Sequence, residues 1–176
     1  MNIELDLPQQ RAYPWLWLLT LFIPIFVFGL VWLLDDGTAP IHLILLVGLL
    51  PVVAIMLMLQ LAMRRQRAWV EDGVLHVVST FYHRRIALAA LDLDGARVLS
   101  LREQPQWKPW LRTNGFALPG MISGWYRLPK WRKAFAAYGN PDRVLCMDAG
   151  EYMLLLGAAH PKATLDLLRQ ARGMAR

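Results

Sequence analysis

Acidic and basic residues are missing from two long stretches of this 176-residue chain, 14–34 and 41–63. A span without Asp, Glu, Lys or Arg offers no proton relay and no ion ligand, which argues against a pump or channel of the usual polar-lined kind. Cysteine is almost absent: Cys146 stands alone, so no intramolecular disulfide forms, in keeping with a reducing compartment. Histidine is scarce, and His76 and His83 have no further His or Cys at metal-ligand spacing; they read as ordinary strand and loop histidines, and no metal site is expected. Ser79, Ser100 and Ser123 lack a nucleophile-elbow setting, and no Ser, His, Asp order stands out. Asp92 and Asp94, two apart on an expected loop, suit turn capping better than paired acid and base work. No catalytic residue and no cofactor is expected, and an enzyme ranks last among the function classes.

What the chain has in excess is apolar residues, 56% of the total, more than an ordinary soluble domain carries. At about 1.5 Å rise per residue, the 14–34 run covers roughly the 30 Å hydrocarbon core of a bilayer. The 41–63 run, with only His42 and Gln60 as strongly polar interruptions, is long enough to span with some tilt. Residues 35–40 are too few to do more than turn the chain back, so the two runs predict an antiparallel transmembrane hairpin. Pro24 and Pro51 each remove a backbone donor near mid-membrane, with Gly29 and Gly48 close by. Arg64, Arg65 and Arg67 follow the second run, Arg11 precedes the first, and Asp35 and Asp36 occupy the turn. That asymmetry predicts both termini in the cytoplasm. Trp15, Trp17 and Trp32 suit an aromatic belt. The first run is too long and too weakly basic at its start for a typical secretory signal, so it is expected to be retained.

Charge divides the chain at Arg64. Of the 19 Lys and Arg residues only Arg11 lies before it, whereas the acids Glu4, Asp6, Asp35 and Asp36 do. A basic domain beside an anionic leaflet gains roughly 1 kcal/mol per base near the surface. Nucleic acid would use the same charge, but no helix-turn-helix, zinc-ligand spacing or RNP signature accompanies it, and no nucleic-acid partner is expected.

From Trp69 onward the hydrophobic period shortens. Asp72-Gly73 predicts a turn, followed by strands over 74–80 and 85–88 with a tight connection at 82–84. Further strands are expected over 96–102, 110–114, 124–128, 133–137, 143–147 and 152–156, punctuated by Asp94-Gly95, Asn114-Gly115, Gly139-Asn140-Pro141 and Ala149-Gly150. His160-Pro161 opens a short terminal helix with Leu165, Leu168 and Ala171 on one face. Short strands closed by a helix predict a small barrel or sandwich.

The stretch FALPGMISGWYRLP, from Phe116, sets glycine and proline breaks beside Trp125, Tyr126 and Arg127. Its glycines lead into a strand-like segment instead of a helix amino terminus, which excludes a phosphate loop. Neighbours on a strand point to opposite faces, so Trp125 and Tyr126 make no joint stacking platform; a strand-turn-strand corner with one aromatic in the core is expected. Lys130, Trp131, Arg132 and Lys133 form a basic-aromatic loop that suits either lipid headgroups or a solvated hairpin tip.

The succession LHVVSTFYHRRIALAAL, then FALPGMISGWYRL, then RVLCMDAGEYMLLL followed by HPKATLDLL resembles the pleckstrin-homology-like domains of small bacterial membrane proteins. The resemblance covers roughly residues 69–171, while REQPQWKPW at 102–110 is richer in Trp and Pro than that pattern. It implies an α+β membrane protein: a transmembrane hairpin over 1–67, then, over 68–176, a mainly β domain of two packed sheets or a partly open barrel closed by a C-terminal helix. The expected function is that of a non-enzymatic, multi-pass protein of the bacterial inner membrane. Its cytoplasmic domain binds another protein or the membrane surface, through Arg64, Arg65, Arg67, Lys130, Trp131, Arg132 and Lys133. The expected partners are the lipid bilayer, a membrane or cytoplasmic protein, and a second copy of the chain. The alternative is an accessory subunit of a larger membrane complex, with the hairpin making the contacts.

Overall fold

A computed structural model describes residues 2–5, 12–34 and 41–174. The protein is α+β: two helices precede a mostly β domain of two sheets, and a helix ends the chain. Helix α1 covers Ala12–Leu34 and α2 covers Ile41–Arg64, and they pack on each other. Among the described residues one helix is long and apolar enough to cross a membrane, over Ala12–Leu30 of α1. The expectation was two. The apolar stretch described in α2, Leu50–Arg64, is shorter than a span, and the side chains at 41–47 lie outside the description. Arg11 and the 35–40 turn with Asp35 and Asp36 also lie outside the described residues.

The first sheet has the order β1-β2-β3-β4, all antiparallel, with β1 over Asn2–Ile3, β2 over Gln66–Glu71, β3 over Val74–Ser79 and β4 over Tyr82–Ala87. Asp72 and Gly73, both at positive φ, make the two-residue turn that matches strand twist between β2 and β3. The chain upstream of the helices thus joins the β domain: Asn2 and Ile3 pair with Trp69 and Ala68, and Leu5 bridges Ala158.

The second sheet has six strands in the order β5-β9-β10-β8-β7-β6. They cover Asp92–Leu99 (β5), Leu111–Leu118 (β6), Met121–Arg127 (β7), Lys133–Tyr138 (β8), Val144–Asp148 (β9) and Met153–Gly157 (β10). Only β8 and β10 run parallel. Apart from Lys133 and Asp148 at their ends, the central strands are buried at every position, so both faces need a cover. Phe135, Leu145, Met147, Leu154 and Leu156 face the first sheet and the terminal helix α3, Pro161–Met174, whose Leu165, Leu168 and Ala171 complete that core. Ala134, Ala136, Tyr138, Val144, Cys146 and Leu155 face the other way, beneath Leu101 and Trp107 from the segment between β5 and β6. That segment is the tryptophan- and proline-rich insert, and covering the second face is its structural task.

The two sheets are tied by a reciprocal buried pair. Ser79 Oγ donates to Ser123 Oγ at 2.9 Å, and Ser123 Oγ donates to the Ser79 carbonyl at 3.1 Å. Next to Ser123, Gly124 faces Gly115 across the β6–β7 hairpin. A Cβ on Gly124 would lie 2.5 Å from the Gly115 Cα and 2.6 Å from the Asn114 carbonyl, and its φ of +119° is one that L side chains rarely adopt. Gly124→Ala should therefore destabilise the β domain by roughly 2–4 kcal/mol, measured as a fall in denaturation midpoint. A cost near that of an exposed strand alanine would show that the hairpin backbone shifts freely.

Candidate functional site

The β6–β7 hairpin has two ends with different neighbours. At its turn, Met121, Phe116 and Leu118 pack with Ala12 and Leu16 of α1 and with Leu59 and Met63 of α2. Its open end lies at Leu111 and Arg127, about seven residues or roughly 23 Å away at the rise of an extended strand. The turn between β7 and β8, Pro129–Trp131, sits at that open end.

This turn is held rigidly. Leu128 N donates to the Arg132 carbonyl at 2.8 Å, and the Arg127 guanidinium donates to the Trp131 carbonyl at 2.8 Å. Lys130 and Trp131 both adopt positive φ, 63° and 61°. Those positions favour glycine or asparagine, and a long or bulky side chain in each costs on the order of 1–2 kcal/mol. The strain projects the Trp131 ring outward, 64% exposed, where it meets the edge of Trp110, 56% exposed, with centroids 5.5 Å apart and planes at 82°. Trp110 is fixed in turn: its backbone N–H donates to Arg127 O at 3.1 Å and its indole N–H to Leu128 O at 3.1 Å. Lys130 and Lys133 flank the pair, exposed and without an ion-pair partner among the described residues, whereas Arg132 is paired with Asp148. An exposed, pre-organised aromatic pair beside free cations is the composition of a binding hot spot.

The expected site residues fall into two groups that the fold keeps apart. Arg64, at the end of α2, Arg65, between α2 and β2, and Arg67, at the start of β2, lie by the helix ends; Lys130, Trp131, Arg132 and Lys133 lie at the far end of the hairpin. Trp110 belongs with the second group although 20 residues separate it from Lys130. The only sequence signal for it was the tryptophan surplus of the insert.

Trp125 and Tyr126 do point to opposite faces, but both are covered. Trp125 packs on Phe135 and Tyr152 and takes the Arg84 guanidinium 4.4 Å above its ring, while Tyr126 is buried on the other face with its hydroxyl donating to Phe116 O at 3.0 Å. Burial pushes the Tyr126 phenol up to about 12. Burial likewise raises the Cys146 thiol to about 12, so it stays protonated at neutral pH.

On the outer face of the first sheet, Trp69, His76 and His83 stack side by side, Trp69 to His76 at 4.8 Å and 8°, with His76 Nδ1 and His83 Nε2 3.4 Å apart. Desolvation, then the charges of Arg85 and His76, lower the His83 pKa below its ordinary value. Among the described residues no three His, Cys, Asp or Glu side chains group as metal ligands. Comparison of the chain with protein-family models, with curated proteins and with solved structures yields no match.

Two outcomes follow from this geometry. Lys130→Gly relieves left-handed strain and should raise the stability of the β domain by about 1 kcal/mol, read as an increase in denaturation midpoint; a decrease would show that the lysine is not strained there. His83 gives a pH dependence. Its folded pKa is depressed, so the unfolded chain takes up the proton first and stability falls as pH drops from about 6.5 through the folded value. The melting temperature should decline over that window, and His83→Gln should flatten the decline.

Proposed function

We propose that the chain is a non-enzymatic protein of the bacterial inner membrane whose pleckstrin-homology-like domain holds a protein partner at the cytoplasmic face. On this reading α1 and α2 form the transmembrane hairpin, with both termini in the cytoplasm. The observation that carries the proposal is the Trp110–Trp131 pair. Two large aromatics are displayed to solvent by a strained turn, flanked by Lys130 and Lys133, on a domain whose other end packs against α1 and α2. An exposed aromatic pair costs solubility, and a strained turn costs stability; both are characteristic of contact surfaces. The position of the pair favours a protein over the bilayer, since a strand length separates it from the helix ends. Free lysines at its rim suit an acidic partner surface, which would raise the rate of encounter more than the final affinity.

A photo-crosslinking residue placed at Trp131 in the full-length chain, irradiated in intact membranes, tests this directly. A protein adduct of defined mass is expected, and Trp110→Ala should reduce its yield by roughly tenfold or more if the pair is a hot spot. Adducts to lipid alone would replace the protein partner with the membrane surface. Reporters after Arg176 and near Gly37 should lie on opposite sides of the membrane, the first in the cytoplasm; a periplasmic C-terminal reporter would overturn the orientation.

A further inference from the structure

Beside the helix ends lies a cavity of about 280 Å³ that the hot-spot surface does not use. Its floor is apolar, from Leu101, Leu118, Met121 and Ile122, and its rim carries two cations, Arg102 and Lys108. Met121 belongs to both structures: it lines the cavity and is buried among Ala12, Leu16 and Met63 of the two helices. Through Met121 the cavity therefore lies at the level where α1 begins, at Ala12 and Leu16, and α2 ends, at Met63. Arg102 leans on Asp142 at 3.2 Å, whereas the Lys108 side chain has no hydrogen-bond or ion-pair partner among the described residues, its backbone N–H donating to the Pro105 carbonyl at 3.1 Å.

We propose that this cavity takes an anionic phospholipid, its headgroup phosphate on Lys108 and Arg102 and its glycerol and first methylenes against Leu118, Met121 and Ile122. The inference rests on the reading of α1 and α2 as a membrane hairpin, which sets the cavity at headgroup depth. Two features select the occupant. An apolar floor with a cationic rim matches a molecule that is apolar at one end and negative at the other, and basic pockets beside transmembrane helices on the cytoplasmic side bind anionic headgroups. A free phosphate ion would satisfy the rim but leave the floor empty. A zwitterionic lipid such as phosphatidylcholine would cover the floor but bring its own cation beside the phosphate, placing like charge next to Lys108 and Arg102 and weakening the pairing. The lipid would also cover part of the contact between the β6–β7 turn and the helices, fixing the domain against the bilayer.

The test uses the full chain purified in mild detergent, with melting followed as phosphatidylglycerol, phosphatidylcholine or inorganic phosphate is added. Phosphatidylglycerol should raise the melting temperature by about 3–5 °C at saturating amounts, and the other two should leave it near its starting value. Lys108→Gln, at an exposed position with no partner to lose, should keep the starting value and lose most of the shift; Arg102→Gln with Lys108→Gln should abolish it. Equal shifts with both lipids, a shift with inorganic phosphate alone, or a full shift in Lys108→Gln would overturn the proposal. Carbonate washing of the source membranes separates this from its premise. A chain that stays in the membrane yet shows no preference for phosphatidylglycerol refutes the cavity alone, while a chain released by carbonate removes the membrane hairpin and the lipid site together.

Discussion

The β domain is organised around one constraint: the middle of its larger sheet is apolar on both faces. Residues alternate along β8, β9 and β10, yet every position from Ala134 to Tyr138 and from Met153 to Gly157 is buried. A sheet of that kind is stable only between two layers. The first sheet and α3 supply one layer. The segment after β5 supplies the other, with Leu101 and Trp107, and Leu101 N donates to Pro141 O at 2.7 Å to fix it in place. Because both of its faces are taken, the edges are what the larger sheet has left to present. The β6 edge and the β6–β7 hairpin that belongs to it carry the helix contact at one end and the tryptophan pair at the other.

Electrostatic and backbone devices hold this arrangement at its margins. Arg169 of α3 donates twice to the Leu93 carbonyl, at 3.2 and 3.0 Å, and Arg172 reaches Asp94 at 3.0 Å, so the helix is clamped onto β5 as well as packed on the core. Exposed ion pairs contribute little alone, typically below about 1 kcal/mol; here they set the position of a helix that burial of Leu165 and Leu168 already stabilises. Left-handed backbone is distributed unevenly. Gly73, Gly120 and Gly150 occupy it at turns at little steric cost, whereas Asp72, Thr80, Lys130 and Trp131 occupy it without that freedom, the last two consecutively.

Local pattern revealed the central strands of the second sheet and the terminal helix, whereas Asp92, Asp94 and Gly95, expected on a loop before a strand over 96–102, lie within β5. The expected strands over 133–137, 143–147 and 152–156 match β8, β9 and β10 within a residue or so, because continuous apolar runs bounded by turn residues leave few alternatives. The first sheet was harder to read. β2, QRAWVE, follows directly on the apolar helix, and its alternation is masked by the change of period at Arg64. β4 begins at Tyr82 since the actual turn is Thr80-Phe81, with Thr80 at a φ of 55° and none of the usual turn residues to mark it. β1 is two residues long and exists only through pairing with β2. At the candidate site, the composition of Lys130 to Lys133 was visible, but neither the Trp110 partner nor the Asp148 ion pair was. Both arise from segments that sheet topology, and no local rule, brings together.

The glycines of FALPGMISGWYRLP show how one stretch serves both ends of the molecule. Gly120, at a φ of 88°, lets the hairpin turn tightly enough for Met121 to enter the cluster formed by α1 and α2. Gly124 and Gly115 let β6 and β7 approach without side chains between them, and there Ser123 reaches across to Ser79 of the first sheet. Beyond that tie the hairpin continues to Arg127, whose guanidinium fixes the Trp131 carbonyl. A single pair of strands thus connects the helix ends, the inter-sheet hydrogen bonds and the aromatic pair through backbone ladder and buried contacts. On the proposed membrane reading, that connection has a mechanical meaning. The orientation of the tryptophan pair relative to the bilayer is set by how Met121 seats between α1 and α2, not by a flexible linker, so whatever tightens that seat also restricts where a partner is held.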